Sequence, residues 1–304
     1  MIISVFPGQG SQSPGFLLPW LELDGAAERL ASYSDWSGVD LVAAGTEWDA
    51  DRIRDTQVAQ PLIVAASLLS WNALPGHDAV PAVAGHSVGE FAAAAAAGIL
   101  SEEDALRLVG LRGRAMAAAA AAAPTGMSAV IGGDEASVIA RLDELGLHPA
   151  NYNGGGQLVV AGATEALAEL ASTPPAGTRI IALQVAGAFH TPYMQPAMAA
   201  LRAAADAVEV TDSTRTVWTN RDGTSVTSGR AFVDLLVDQV VSPVRWDLCM
   251  QSFSAAGVTG IIELAPAGAL TGLAKRALRG TPAVAVKTPD DLAAAVALLS
   301  PSDA

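Results

Sequence analysis

Short apolar runs alternate with longer alanine- and leucine-rich stretches along most of this chain. The runs at residues 2–6 and 80–84 stop at turn-forming glycine or proline residues, which is typical of buried strands. The longer stretches have helical composition, and Gly98 and Pro124 lie where two of them should end. The pattern predicts an α/β protein with a parallel sheet.

The middle of the chain follows a different order of elements. Predicted strands and helices lie at residues 127–131, 136–145, 149–162 (two strands around the Gly154-Gly155-Gly156 turn), 164–171 and 178–185. This β-α-β-β-α-β order is typical of a ferredoxin-like unit. We therefore expect a large α/β domain, residues 1–124 and 187–304, with an inserted ferredoxin-like small subdomain, residues 125–186.

Charge and composition exclude several classes of protein. The chain has 17 Lys plus Arg against 31 Asp plus Glu, a net charge of −14, and 51% of its residues are hydrophobic. Disordered chains lack such apolar content, and nucleic-acid-binding proteins carry a basic surface that this chain lacks. We expect a globular protein that binds no nucleic acid.

The mean hydropathy of +0.36 does not indicate a membrane protein. Alanine accounts for much of it, and the longest apolar run, residues 91–100, is half of the ~20 residues that a bilayer requires. No basic residue precedes the first apolar run, so a signal peptide is not expected. The single cysteine, Cys249, allows no intramolecular disulfide and disfavours a metal site. We expect a cytoplasmic protein.

The pentapeptide Gly85-His86-Ser87-Val88-Gly89 lies between a predicted strand and a predicted helix. A G-x-S-x-G sequence in that context indicates a nucleophile elbow, the sharp turn that exposes a serine in α/β-hydrolase-like domains. The following helix would present backbone N–H groups to a developing oxyanion. The alternative is a chance Gly/Ser turn, which the flanking elements disfavour.

A serine needs a base to become a nucleophile, and the chain has four histidines. His86 adjoins the serine and is expected to point away from it. His77 follows Pro75-Gly76 in a predicted loop, and His148 precedes Pro149 in the predicted small subdomain. His190 follows an apolar strand and precedes a proline break, which makes it the best of the four on spacing alone.

A polar, glycine-containing loop, Pro7-Gly8-Gln9-Gly10-Ser11-Gln12, follows the first strand. Such a loop can lend a backbone N–H to an oxyanion hole. It does not match a dinucleotide-binding motif because Ser13 stands in the third glycine position.

Further motifs occur in a fixed order over nearly the whole chain: Gln60-Pro61 before a helix, Leu111-Arg112-Gly113, Gly126-Met127, Asn153 with Gly156-Gln157, Ala188-Phe189-His190, Pro243-Val244-Arg245-Trp246 and Leu270-Thr271-Gly272-Leu273. Together with the loop and the elbow they resemble the malonyl-CoA:acyl carrier protein transacylases, the acyltransferase family of fatty-acid synthesis. The α/β domain with its ferredoxin-like insert is also what that family has.

The resemblance implies a Ser–His dyad without a third acid. Ser87 would be the nucleophile, His190 the general base and acid, and the backbone N–H groups of Val88 and Gln9 the oxyanion hole. In the family an acceptor from the Pro-Val-x-Trp motif orients the histidine. Here that position is Arg245, whose side chain has no acceptor, so we expect its backbone carbonyl to take this role.

The resemblance also implies the substrate contacts. Arg112 would hold the malonyl carboxylate, although an arginine in a helix otherwise suggests a surface ion pair. Phe189 resembles the bulky residue of members that select malonyl over methylmalonyl groups. Asn153 either hydrogen-bonds within the pocket or serves as a turn residue before the glycine run. The basic residues Lys275, Arg276 and Arg279 either dock the carrier protein or coenzyme A, or form a solvated helix face.

The implied reaction is ping-pong transfer of malonyl from malonyl-CoA to the phosphopantetheine thiol of holo acyl carrier protein. We expect a free-standing, monomeric enzyme with no metal and no permanently bound cofactor. Three alternatives stay open: a serine hydrolase acting on acyl-CoA or acyl carrier protein, a malonyltransferase for polyketide synthesis, and a non-catalytic carrier-binding module.

Overall fold

The computed structural model describes residues 1–185 and 187–300. Its strands are β1 (Ile2–Phe6), β2 (Ala82–Gly85), β3 (Thr125–Gly132), β4 (His148–Gly154), β5 (Gln157–Ala163), β6 (Thr178–Ala182), β7 (Thr216–Trp218), β8 (Ser225–Val226), β9 (Gly260–Glu263) and β10 (Ala283–Ala285). Its helices are α1 (Ala26–Ser37), α2 (Leu41–Thr46), α3 (Ala50–Arg54), α4 (Thr56–Ala73), α5 (Gly89–Ala96), α6 (Glu102–Ala120), α7 (Glu135–Leu145), α8 (Thr164–Ser172), α9 (Gln195–Ala207), α10 (Gly229–Asp238), α11 (Trp246–Ala255), α12 (Ala269–Ala277) and α13 (Leu292–Leu299).

The larger sheet has the strand order β10-β9-β1-β2-β7-β8, and only β8 runs antiparallel to its neighbour. In the central pair Phe6 on β1 lies opposite Gly85 on β2. The carboxyl ends of these two strands are therefore level. This register brings the loop after β1 and the predicted elbow after β2 to the same edge of the sheet.

Alternating residues of the central strands bury opposite faces of this sheet. Phe6 and Val83 belong to one apolar cluster, which includes residues of α4, α5 and α6. Ile3 and Ala84 belong to a second cluster on the other face, with residues of α11 and α12. Helices thus cover both faces, which explains why the strands read as continuous apolar runs.

The smaller sheet has the order β4-β5-β3-β6 and is antiparallel throughout. One face packs on α7 and α8, where Val130, Leu142 and Leu170 are buried. The other face carries Met127 and Val159 into the main cluster. The α/β fold with a ferredoxin-like unit is confirmed. The exact divisions at 124/125 and 186/187 stay predictions, and Ala186 lies outside the described residues.

The structure corrects three local expectations. Gln60 and Pro61 lie inside α4 and not before it, because burial of nearly the whole helix outweighs one missing backbone donor. Helix α6 ends at Ala120, three residues before the end of the alanine run. Arg279 lies in the turn beyond α12 and not on that helix.

Across residues 1–185 and 187–300, none of the helices combines the length and apolar character needed to cross a bilayer.

Candidate active site

Ser87 lies at the turn between β2 and α5, in a left-handed backbone conformation with φ of 52°. The two glycines of the motif make this turn possible. A Cβ on Gly85 would lie 2.1 Å from the carbonyl carbon of Gly89, and a Cβ on Gly89 would lie 2.2 Å from the carbonyl oxygen of Phe6. Only glycine fits at either position, so the pentapeptide forms the strained strand–turn–helix geometry of a nucleophile elbow.

The structure brings Ser87 and His190 together across 103 positions of sequence. Ser87 Oγ lies 2.7 Å from His190 Nε2, and His190 Nδ1 lies 2.9 Å from the carbonyl oxygen of Gln239. The carbonyl can only accept, so Nδ1 carries the proton and Nε2 is free to accept one from the serine. Burial, and then the positive charge of Arg112, lower the pKa of His190 to about 3. The imidazole is therefore neutral at pH 7, as a general base must be.

Arg245 does not orient His190, contrary to the sequence-based expectation. Its carbonyl accepts the N–H of Cys249 in the first turn of α11, 3.1 Å away, and its guanidinium binds Asp247 at 2.7 and 2.9 Å. The acceptor is Gln239, at the start of the 3₁₀ turn Gln239–Val241 that follows α10. No short motif marks Gln239 in the sequence, because its contact with His190 uses a main-chain oxygen, which every residue type has.

Asn220 holds the elbow in place, and the sequence-based reasoning missed it. Its Oδ1 accepts the backbone N–H of Ser87 at 2.7 Å, and its Nδ2 donates to the carbonyl of Gly85 at 2.7 Å. Asn220 is fully buried just beyond β7, the parallel neighbour of β2. Its position after a predicted strand could have indicated this role, since polar residues that follow adjacent parallel strands meet at one edge of the sheet.

The backbone N–H groups of Gln9 and Val88 border the cavity in front of Ser87. Neither has a hydrogen-bond acceptor within residues 1–185 and 187–300. Val88 lies at the start of α5, where the helix dipole adds a partial positive charge. Two backbone donors without acceptors, in residues that line the same cavity as a serine nucleophile, suit a developing oxyanion.

Arg112 projects from α6 into the same cavity and is 1% exposed. Its Nη1 donates to Gln60 Oε1 at 2.7 Å and its Nη2 to Gln239 Oε1 at 2.9 Å. In the described part of the chain, Nε has no partner and no carboxylate lies within ion-pair distance. Burial lowers the pKa of Arg112 to about 10, which leaves it charged at pH 7. A buried cation held by neutral amides is suited to receive an anion.

The cavity has a volume of about 460 Å³, and its walls come from both parts of the fold. Phe189 and Arg112 line it from the large domain, while Met127 and Val159 line it from the small sheet. Phe189 is 6% exposed and lines this cavity together with the adjacent His190.

Asn153 also borders this cavity, and its Oδ1 lies 2.9 Å from His86 Nε2. Burial lowers the pKa of His86, so its neutral ring donates to this amide oxygen. Trp246 packs edge-on against the His86 ring at 5.6 Å. The hydrogen bond of His86 is therefore made to Asn153 and not to Ser87, and Asn153 connects the elbow to the small sheet.

Lys275, Arg276 and Arg279 are exposed, and only Arg276 lines the cavity. Arg276 Nη2 lies 3.5 Å from Gln157 Oε1, and its side chain passes over Gly155. Arg276, both exposed and lining the cavity, therefore lies at its mouth, and Lys275 and Arg279 are its neighbours in the chain.

A serine paired with a neutral histidine, facing two free backbone amides and a buried arginine, defines a serine-dependent acyl transfer site on an α/β fold. The comparisons agree with this class. The chain belongs to the acyl transferase domain family, which matches residues 3–291.

Relatives and solved structures of this family resemble the chain over nearly its full length. The malonyl CoA-acyl carrier protein transacylase of Mycobacterium tuberculosis strain H37Rv is 52% identical over 298 residues, covering 96% of this chain and 98% of the relative. The crystal structure of MCAT from Mycobacterium tuberculosis has a TM-score of 0.93 with the same identity and coverage. A malonyl-transacylase solved in complex with its type II PKS acyl-carrier protein is 31% identical, with a TM-score of 0.90 and coverage of 97% and 98%.

Proposed function

We propose that this chain is an acyl-carrier-protein S-malonyltransferase that transfers malonyl from malonyl-CoA to the phosphopantetheine thiol of holo acyl carrier protein. The proposal rests on Arg112, which lines the same cavity as the Ser87–His190 pair. Arg112 is a buried cation that has no carboxylate partner in the described structure. The names of the relatives support malonyl-CoA and the carrier protein as substrates. The proposed setting is fatty-acid synthesis by a cytoplasmic monomer without a resident cofactor.

In the first half-reaction Ser87 Oγ attacks the thioester carbonyl while His190 Nε2 takes the hydroxyl proton. The carbonyl oxygen becomes an oxyanion, which the N–H groups of Gln9 and Val88 stabilise. When the tetrahedral intermediate collapses, the carbon–sulfur bond breaks and His190 returns the proton to the leaving coenzyme A thiolate. A malonyl ester on Ser87 remains.

The second half-reaction reverses these steps with a new thiol. The phosphopantetheine thiol of the carrier protein attacks the malonyl ester, and His190 takes the thiol proton. The same two amides hold the oxyanion. The proton then returns to Ser87 Oγ as the ester bond breaks, which releases malonyl-carrier protein and restores the dyad.

Arg112 supplies selectivity for an acyl group with a second carboxylate. An acetyl group leaves the guanidinium without an anionic partner, whereas a malonyl group brings an acceptor to the free Nε. Phe189 lines the same cavity, and we expect its bulky ring to disfavour the extra methyl of a methylmalonyl group. Exclusion of one methyl contributes only ~1–3 kcal/mol, so this preference is graded.

Both substrates are anionic, as is the chain at −14. Net charge therefore opposes association, and locally placed cations must attract the partners. Lys275, Arg276 and Arg279 are the proposed docking cations because Arg276 borders the cavity mouth.

A malonyltransferase for polyketide synthesis is the second candidate, because one structural relative was solved with a type II PKS acyl-carrier protein. The chemistry at Ser87 is the same in both cases, and the choice of carrier protein separates them.

The decisive test combines intact-mass spectrometry with transfer assays. We expect malonyl-CoA to add one malonyl group to the protein, Ser87→Ala to lose that adduct, and the exposed control Ser172→Ala to keep it. A second assay offers malonyl-, methylmalonyl- and acetyl-CoA with one holo carrier protein and measures transfer to carrier against release to water. Faster hydrolysis than transfer would favour a hydrolase, and an adduct that persists in Ser87→Ala would refute the assignment.

A further inference from the structure

Glu90 is a buried carboxylate that does not line the substrate cavity. It lies in the first turn of α5, three positions after Ser87, and is 1% exposed. Its Oε1 accepts the backbone N–H of Asn220 at 2.7 Å, and its Oε2 accepts from Nε2 of Gln239. One carboxylate therefore connects the segment after β7 with the 3₁₀ turn after α10.

Each of these two partners holds a different part of the active site. The Asn220 side chain bonds the Ser87 N–H and the Gly85 carbonyl, which fixes the elbow. The Gln239 main chain accepts from His190 Nδ1, and the Gln239 side chain accepts from Arg112. Glu90 is thus connected to the nucleophile through Asn220, and to the base and the cation through Gln239.

The carboxylate also sets which way the Gln239 amide points. Gln239 Nε2 donates both to Glu90 and to the Ser87 carbonyl, 3.1 Å away, so Oε1 must face Arg112. An ionised carboxylate has acceptors only, and therefore cannot pair with the amide in the flipped orientation. A protonated carboxyl gains an O–H donor, and could therefore pair with the amide in either orientation.

Glu90 has a second, small cavity of about 10 Å³ beside it, lined also by Thr219, Arg221 and Gln239. Among the described residues, Arg112 on α6 and Cys249 on α11 interact electrostatically with it, and Arg221 in the segment after β7 lines the same small cavity. Burial raises the pKa of Glu90 to about 8, against the opposing effect of its hydrogen bonds and of Arg112. Its protonation state therefore changes within an experimentally accessible pH range.

We propose that the ionised Glu90 carboxylate is a positioning residue for the acylation step, which holds Asn220 and Gln239 so that Ser87, His190 and Arg112 keep one arrangement. The inference rests on the proposed roles of those three residues. It adds the requirement that Glu90 is ionised, which the roles of Ser87, His190 and Arg112 do not by themselves include.

The test measures acylation by malonyl-CoA alone, with rapid quenching and intact-mass detection, normalised to the number of reactive sites. Glu90→Gln is isosteric, but its NH₂ faces one of the two donors that the carboxylate accepts. We expect the maximum acylation rate per site to fall at least about tenfold. The control Glu103→Gln, on the outer side of α6, should change it less than twofold. A Glu90→Gln enzyme with the wild-type rate per site would overturn the proposal.

The pH dependence of acylation provides a second readout, and the wild-type protein alone suffices for it. His190 stays neutral and Arg112 stays charged between pH 6 and 9, given their pKa values of about 3 and about 10. We expect the rate per site to rise with pH through the Glu90 pKa, and Glu90→Asp to keep such a rise while Glu90→Gln loses it. A wild-type rate that is flat from pH 6 to 9 would contradict the proposal. If the wild-type protein forms no malonyl adduct at Ser87, that result would instead refute the proposed function.

Discussion

His190 Nδ1 lies 2.9 Å from the main-chain oxygen of Gln239, and this contact takes the place of a triad acid. A neutral carbonyl fixes the tautomer and the ring orientation as a carboxylate would. It does not supply a negative charge to stabilise the imidazolium, and burial with Arg112 lowers the pKa of His190 to about 3. The histidine therefore remains a base over the whole physiological range and holds a proton only while the reaction proceeds.

Arg112→Ala should lose malonyl transfer far more than acetyl transfer, because only malonyl carries the carboxylate that the guanidinium binds. A charged hydrogen bond contributes about 1.5–3 kcal/mol, so we expect the malonyl-to-acetyl ratio of kcat/KM to fall roughly tenfold to hundredfold. Arg107→Ala is the matched control, because Arg107 lies on the same helix and pairs with Glu103 at the surface. Equal losses for both acyl groups would remove Arg112 from the carboxylate role.

Asn220→Ala should loosen the elbow. The variant leaves the Ser87 N–H and the Gly85 carbonyl without their buried partner, and Ser87 keeps its left-handed backbone. We expect the free energy of unfolding to fall by about 2 kcal/mol or more, with slower acylation per folded molecule. Denaturant titration and quenched acylation measure the two effects. An unchanged acylation rate in the folded fraction would show that Asn220 supports the fold alone.

The stability of the protein should depend on His190 in acid. Its pKa is about 3 when folded and 6.5 in the unfolded chain, so the unfolded state binds more protons between these values. Stability is therefore retained above pH 6.5 and lost as the pH falls toward 3, by up to about 1.4 kcal/mol per pH unit. His190→Gln should flatten this slope when denaturation is measured from pH 7 to 4. Parallel slopes for wild type and His190→Gln would contradict the buried neutral imidazole.

Replacing Lys275, Arg276 and Arg279 together by glutamine should raise the KM for carrier protein and leave the rate of acylation by saturating malonyl-CoA unchanged. The effect should shrink as salt is added, since exposed charges are screened within about 10 Å at 0.1 M salt. Arg107→Gln, on another surface, is the control. If the KM for carrier protein stays constant at low salt, the docking surface lies elsewhere.

The success of the elbow prediction has a local cause. Gly85, Ser87 and Gly89 lie within five residues, and the requirement for glycine comes from the turn itself and from its close approach to β1. The alternation of strands and helices was readable for the same reason, because burial of both sheet faces leaves continuous apolar runs. The motif around Arg245 led to a wrong expectation, because the Arg245 carbonyl does not orient His190 but accepts a hydrogen bond in the first turn of α11.

The sequence alone was enough to predict the alternation of strands and helices, the ferredoxin-like insert, and the residue types of the chemistry: a serine in an elbow, a histidine beside a strand end, and an arginine in a helix. The residues that hold these groups in place became visible only in the folded chain. Glu90 contacts Asn220 across 130 positions of sequence and Gln239 across 149. Such contacts leave no local spacing to read, because they depend on which strand ends become neighbours and on main-chain atoms that every residue type possesses.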